Sequence, residues 1–232
     1  MTTIASNLQA VRAAMETAAV SAGRPPGDIT LLAVSKTFPH DAIRAAYLAG
    51  QTRFAENYVQ EALNKISALH DLPLEWHFIG PIQSNKTRPI AENFSWAHGI
   101  ERLKIAERLS AQRPAHLPPL QVCIEVNISG EHSKSGVSPD EAGALAAAVA
   151  RLPQLKLRGL MAIPAPSENI TEQRATFARL RELRERLNQQ GLQLDTLSMG
   201  MSHDFPAAIA EGATLVRVGT AIFGERNYGE QS

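Results

Sequence analysis

The stretch "LLAVSKTFP", Leu31 to Pro39, carries an apolar, strand-like run straight into Lys36 and stops at a proline. Desolvation beside an apolar wall disfavours an ammonium group, and the neutral amine attacks an aldehyde carbon to give a Schiff base. A lysine in such a place also has two plainer uses: it snorkels its charge to solvent, or it pairs with a carboxylate. Near the other end, "TLVRVGTAIFG" sets Gly219 and Thr220 just past another strand-like run. Unpaired N–H groups of a helical turn there, with the Thr220 hydroxyl, suit a phosphate. "SMGMSHDFP" adds Gly200 and Ser202. Taken singly, each of these glycines reads as a turn glycine.

These groups act together only if the chain gathers them. Apolar, often β-branched runs recur as "ITLLAVS", "TRFAEN", "EWHFIG", "SWAHGI", "LQVCIEVNIS", "LRGLMAI", "TLSMGMS" and "TLVRVG". Amphipathic segments separate them: Ala42, Ile43, Ala46 and Tyr47 share one helical face, and Val59, Ala62, Leu63, Ile66 and Leu69 share the next. In "SPDEAGALAAAVARL", Ser138 is an N-cap, Pro139 takes the first helical position and Glu141 completes a capping box. "TEQRATFARLRELRERLNQQG" puts Phe177, Leu180, Leu183 and Leu187 on one stripe and its charges on a solvated outer face. Alternating strand and helix after an extra N-terminal helix predicts an α/β chain, a single (β/α)8 TIM barrel over residues 1–232. The length suits that fold, which runs to about 250 residues. An open doubly wound sheet is the alternative.

Barrels place their sites at the C-terminal ends of the strands. Those ends read Lys36, Asn57, Gly80 with Gln83 and Asn85, His98, Asn127, Met161, the segment Ser198 to Ser202, and Arg217 with Gly219 and Thr220. Strand one neighbours strand eight once a barrel closes, so a phosphorylated aldehyde would span Lys36 and the last two loops. Arg217 would lie beside the body of the same ligand. Next to a pyridine nitrogen, its permanent charge keeps that nitrogen unprotonated.

Other chemistries fall away. Ser202, His203 and Asp204 spell a hydrolase triad, but three consecutive residues cannot converge as nucleophile, base and orienter, so helix capping is the better use. The histidines show no metal-ligand spacing, and His77 and His98 read as satisfied core histidines. No dinucleotide or P-loop fingerprint occurs. Cys123 is the lone cysteine, inside a strand, which suits burial and a reducing compartment. Lys plus Arg and Asp plus Glu both number 23, which gives no general pull toward nucleic acid or anionic membrane. The N-terminus lacks a signal-peptide pattern, and no apolar run reaches the ~18 residues of a spanning helix. A soluble cytoplasmic protein is expected.

Six segments in order, "LLAVSKTFP", "FAENYVQEALNK", "WHFIGPIQSNK", "VNISGEHSKSGV", "GLMAIP" and "SMGMSHDFPAAIAEGATLVRVGTAIFG", resemble the motifs of the pyridoxal phosphate homeostasis proteins. That family is similar in fold to the N-terminal barrel of alanine racemase, a fold-type III pyridoxal phosphate enzyme. The resemblance implies pyridoxal 5'-phosphate as cofactor, with Lys36 forming the Schiff base. It implies that Ser202, Gly219 and Thr220 hold the phosphate, that Arg217 lies beside the pyridine nitrogen, and that Asn57 and Met199 line the pocket. It also implies a role in vitamin B6 homeostasis without catalytic turnover, with transient contacts to pyridoxal phosphate-dependent apoenzymes or to enzymes that produce the cofactor.

Three functions compete. A non-catalytic carrier fits an unprotonated pyridine, which is a weak electron sink. The short tail after Gly224, "ERNYGEQS", leaves no room for the racemase's second domain, so a monomer is expected. A single-domain amino-acid racemase would need an acid/base group opposite Lys36, for which Tyr58 and His203 are candidates. A lysine Schiff-base aldolase acting on a phosphorylated sugar would need no coenzyme. Lys65 and Lys104 read as outer-helix lysines, Lys156 precedes a strand, and Lys86 and Lys134 fall near the mouth. Lys134 reads as a solvent-facing loop lysine that could also make a secondary contact with the cofactor.

Overall fold

The computed structural model describes residues 3–131 and 134–225. It opens with helix α1 (Ile4–Ser21), where Thr3 and Ser6 form a reciprocal capping box and Leu8, Val11, Met15 and Ala19 form the buried stripe. Strand β1 (Thr30–Val34) follows, and then seven further strands and eight further helices. These are α2 (His40–Leu48), β2 (Arg53–Glu56), α3 (Val59–Ala68), β3 (Glu75–Phe78), α4 (Thr87–Asn93) and β4 (Trp96–Ile100). Next come α5 (Leu103–Gln112), β5 (Leu120–Glu125), α6 (Pro139–Val149), β6 (Leu155–Met161) and α7 (Ile170–Gln189). The chain closes with β7 (Thr196–Ser198), α8 (Phe205–Ala210), β8 (Leu215–Val218) and α9 (Thr220–Phe223).

Each strand pairs in parallel with the next, and β8 returns to β1, so the sheet is the expected closed (β/α)8 barrel rather than an open one. The eight sequence runs become the eight strands, with shorter limits. The run "TLSMGMS" is a strand only over Thr196–Ser198, because Gly200 turns the chain with φ +93°, a left-handed conformation that suits glycine. Ser138 caps α6 with the anticipated capping box and with Pro139 in its first turn.

Strand side chains alternate between two buried layers, as expected for a parallel barrel covered by helices. Leu32, Val34, Ala55, Ile79, Trp96, Cys123, Met161 and Leu215 fill the lumen. Ala33, Phe54, Phe78, Ala97, Val122, Leu160, Leu197, Val216 and Val218 face outward and merge with the helix stripes into the outer core. α1 packs on α2, α8 and α9, across the outside of the β1–β8 seam. Among the described residues, no helix is long and apolar enough to cross a membrane.

The floor of the lumen, at the N-terminal ends of the strands, is plugged by charge pairs. Arg53 meets Glu75 at 3.2 Å, and Arg158 meets Asp195 at 2.8 Å while stacking its guanidinium 4.9 Å from the Trp96 ring. That leaves the opposite end as the way in.

Candidate functional site at the barrel mouth

Period-two alternation decides which groups reach the mouth. Leu32 and Val34 line the lumen, so Lys36 continues their parity; Ala55 is followed in the same way by Asn57, Cys123 by Glu125, and Leu215 by Arg217. Lys36 is half-buried just past the end of β1. The register pairs Leu32 with Arg217 and Ala33 with Val218, which brings the turn at Gly219 alongside Val34. A Cβ at 219 would come 3.1 Å from the Val34 carbonyl oxygen and 3.3 Å from its Cβ, so the two backbones approach as closely as glycine permits. Lys36 and the Gly219–Thr220 turn therefore sit on adjacent strands.

Both flanks of Lys36 are clamped from behind. Lys65 of α3 donates to the Ser35 carbonyl and to Glu56 Oε1, each at 2.8 Å, and also pairs with Glu61. The Ser35 hydroxyl donates to Glu56 Oε1 at 2.6 Å, and Glu61 accepts the Thr37 backbone N–H at 2.6 Å. Thr37 adopts φ +70°, a left-handed conformation that a β-branched residue rarely takes. Burial raises the Glu56 carboxyl above its ordinary value, against the pull of Lys65. The expectation of Lys65 as an outer-helix lysine is thus corrected: α3 turns this residue toward the barrel, where it is 6% exposed and neutralised by two carboxylates. Glu61 and Lys65 are four residues apart on α3, and that spacing was the available signal.

Beyond this clamp the seam is tied on its outer side. Phe38 stacks on Phe223 with ring centroids 5.1 Å apart, joining the loop after Lys36 to α9. Asn7 of α1 holds the Ile222 carbonyl at 2.9 Å. Gly200 and Ser202 precede α8, and the Asp204 carboxylate accepts the Met201 N–H at 2.6 Å, bending that loop back on itself. Asp204 is the N-cap of α8, in keeping with the capping expectation, although its side chain bonds to the loop and not to the first turn.

Arg217 is buried in the lumen, donating to Ser198 Oγ at 2.7 Å and to the Ala162 carbonyl at 2.9 Å. Burial lowers its guanidinium to about 10, still a cation at neutral pH. Glu125 is also buried, and burial, reinforced by the nearby Glu101 carboxylate and opposed by Arg217, pushes its carboxyl up to about 7. Sequence reading did not single out Glu125; its place two residues after lumen-facing Cys123 was the signal. Burial pushes the Cys123 thiol up to about 12, consistent with an inert core cysteine.

The remaining sequence candidates separate. Met161 lines the lumen, while Asn127 spends its amide on the carbonyl of Glu131 and on Gly130 in its own loop. Met199 is fully buried in the outer core, so any contact with a lumen ligand falls to its backbone. His98 lies within the lumen, bonded to His77 and Ser198, a satisfied core histidine as expected. Lys134 is drawn to the mouth rather than left in solvent: it pairs with Glu131 at 3.1 Å and donates to the Ile163 carbonyl at 3.2 Å. Among the described residues, no cluster of His, Cys, Asp and Glu could hold a metal ion.

A closed parallel barrel with these groups at its mouth falls in the class of (β/α)8 barrels that includes the alanine racemase N-terminal domain, whose family model matches residues 4–227. The chain is 63% identical over 229 residues to the pyridoxal phosphate homeostasis protein of Pseudomonas aeruginosa, covering 99% of this chain and 98% of that one. It is 54% identical over 234 residues to the protein of the same name from Escherichia coli K12, covering both in full. PipY of Synechococcus elongatus, solved with PLP bound, superposes with a TM-score of 0.83 at 40% identity, over 95% of this chain and 100% of PipY. Alanine racemase of Corynebacterium glutamicum, 17% identical with a TM-score of 0.70, shares the fold. This chain belongs to the pyridoxal phosphate homeostasis protein family.

Proposed function

We propose that the chain binds pyridoxal 5'-phosphate at the barrel mouth, holds it as a Schiff base on Lys36, and takes part in cytoplasmic vitamin B6 homeostasis without catalytic turnover. The observation that carries this reading is the seam, where Lys36 and the glycine-opened turn after β8 lie on adjacent strands. One further feature fits a ligand with polar atoms: Asn57 Oδ1 is buried with no hydrogen-bond partner among the described residues. PipY, a relative solved with PLP bound, supports the choice of ligand.

When bound, the cofactor supplies an aldehyde carbon and an electron-withdrawing ring. Lys36 supplies the amine that anchors the aldehyde. Ser202, Gly219 and Thr220 hold the phosphate through hydroxyl and backbone N–H groups. Arg217, a donor only, would hold the ring nitrogen as an acceptor. Asn57 and the Met199 backbone line the remaining wall. As a carrier the protein meets donors and acceptors of the cofactor, enzymes that produce it and apoenzymes that need it, in transient contacts, and it acts as a monomer. Titrating pyridoxal phosphate into the protein should raise a visible Schiff-base band that saturates at one equivalent. The same band at full stoichiometry in Lys36→Ala would remove Lys36 as the anchor.

A second reading, a single-domain amino-acid racemase, is favoured by one observation. Glu125 ends β5, the strand diametrically opposite β1 in an eight-stranded barrel, and its carboxyl titrates near neutrality. Tyr58, 58% exposed, and His203, also exposed, are poorer choices for that role. Absence of α-proton exchange across a panel of amino acids in deuterated water would exclude it.

A further inference from the structure

A hydrogen-bonded chain crosses the lumen beneath the mouth. Arg217 Nη1 donates to Ser198 Oγ at 2.7 Å, and Ser198 Oγ lies 2.8 Å from His98 Nδ1. His98 Nε2 lies 3.0 Å from His77 Nδ1, and His77 Nε2 lies 2.8 Å from Glu75 Oε1. The chain links β8, β7, β4 and β3 in turn, and joins residues as far as 100 positions apart. Its four upper members are buried, while Glu75 sits half-buried at the floor.

The two ends fix the direction of every proton between them. The hydrogen bond from His77, together with Arg53, holds the Glu75 carboxyl below its ordinary value, so Glu75 is a carboxylate and only accepts. His77 must then carry its proton on Nε2, which leaves Nδ1 as an acceptor. His98 must therefore donate from Nε2, and its Nδ1 accepts from the Ser198 hydroxyl. Arg217 can only donate, so the Ser198 oxygen receives from it and passes its own proton on to His98. The reverse order would set a bare imidazole lone pair against the Glu75 carboxylate at 2.8 Å. A second proton on His98 would set it against the Ser198 hydroxyl and close to the Arg217 cation. The charged groups facing the pair are Glu75 and Arg53 from the floor and Arg217 from the mouth side; Trp96 stacks on His77, centroids 5.3 Å apart. Burial holds both imidazoles below their ordinary value, against the pull of Glu75 on His77 and reinforced on His98 by Arg217.

We propose that Ser198, His98 and His77 are positioning residues for Arg217: a one-way hydrogen-bond chain, anchored on the Glu75 carboxylate, fixes the guanidinium at the barrel mouth. Its direction is a property of the protein alone. Its effect on a ligand rests on the pyridoxal phosphate reading above.

The first test needs no ligand. Nitrogen-15 NMR of the histidine rings should place the proton on Nε2 in both His77 and His98 at neutral pH. A proton on Nδ1 of either ring would overturn the proposal. The second test uses pyridoxal phosphate as probe. Ser198→Ala should leave His98 protonated on Nε2, because Glu75 and His77 still fix it, but it should free the Arg217 guanidinium, shift the bound visible band and weaken affinity about tenfold, with Lys36 still labelled on borohydride reduction. His98→Gln keeps one donor and one acceptor and should stay within about threefold of the parent, while His98→Leu should match the Ser198→Ala loss. Equal losses in the glutamine and leucine variants, or an unchanged band in Ser198→Ala, would mean that the chain only packs the core. If the parent protein binds no pyridoxal phosphate, the functional reading fails while the NMR result still decides the direction of the chain.

Discussion

The Thr37 backbone N–H donates to the Glu61 carboxylate at 2.6 Å, and Thr37, the residue after Lys36, is held at φ +70°. The lysine is therefore presented from a backbone that its own sequence does not favour, stabilised by α3, three elements further along the chain. Left-handed geometry costs a β-branched residue about 1–2 kcal/mol, which the charge-assisted bond to Glu61 offsets.

Glu61→Ala is expected to lower stability by about 1–2 kcal/mol. In a Thr37→Gly background the same change should cost less, because glycine holds the conformation without the clamp. Denaturant unfolding of the four proteins reads a coupling of at least about 0.5 kcal/mol. Strict additivity would show that the two residues act independently.

The pH dependence of stability should carry a signature of Glu125. Its carboxyl titrates near 7 in the fold against an ordinary value of 4.5. Between those values the folded chain keeps a proton that the unfolded chain has released, so this group destabilises the fold progressively as pH rises through the window. Glu125→Gln should gain up to about 3 kcal/mol near pH 8 and gain little below about pH 4. A gain that does not vary with pH would contradict the buried carboxyl.

Gly219→Ala should fold yet lose pyridoxal phosphate affinity about tenfold, because its Cβ presses on the Val34 carbonyl and shifts the turn beside Lys36. Gly27→Ala, where a Cβ meets nothing within 4 Å, is the control. Equal affinity in the two variants would argue against phosphate binding at the seam.

The strands were legible because each apolar run is short and bounded by turn residues, and the barrel followed from their alternation with helices. Lys36, Arg217 and Gly219 were legible because each sits at the end or turn of a strand, where sequence position predicts spatial position. The supporting shell was not. Lys65 offered only its four-residue spacing from Glu61, a pairing equally at home on a solvated helix face, so it did not separate a solvated lysine from one buried against Glu56. The partnership of His98 with Ser198 spans 100 residues and exists only once the barrel closes. The resemblance places Met199 in the pocket, and the strand's alternation turns its side chain into the outer core.

The most direct test of the central claim is to reduce the protein with borohydride in the presence of pyridoxal phosphate and to map the labelled peptide by mass spectrometry. A single pyridoxyl group on Lys36, with loss of the visible band, is the predicted result. A label on Lys134 or Lys65 with Lys36 unmodified, or no label on any lysine, would contradict it.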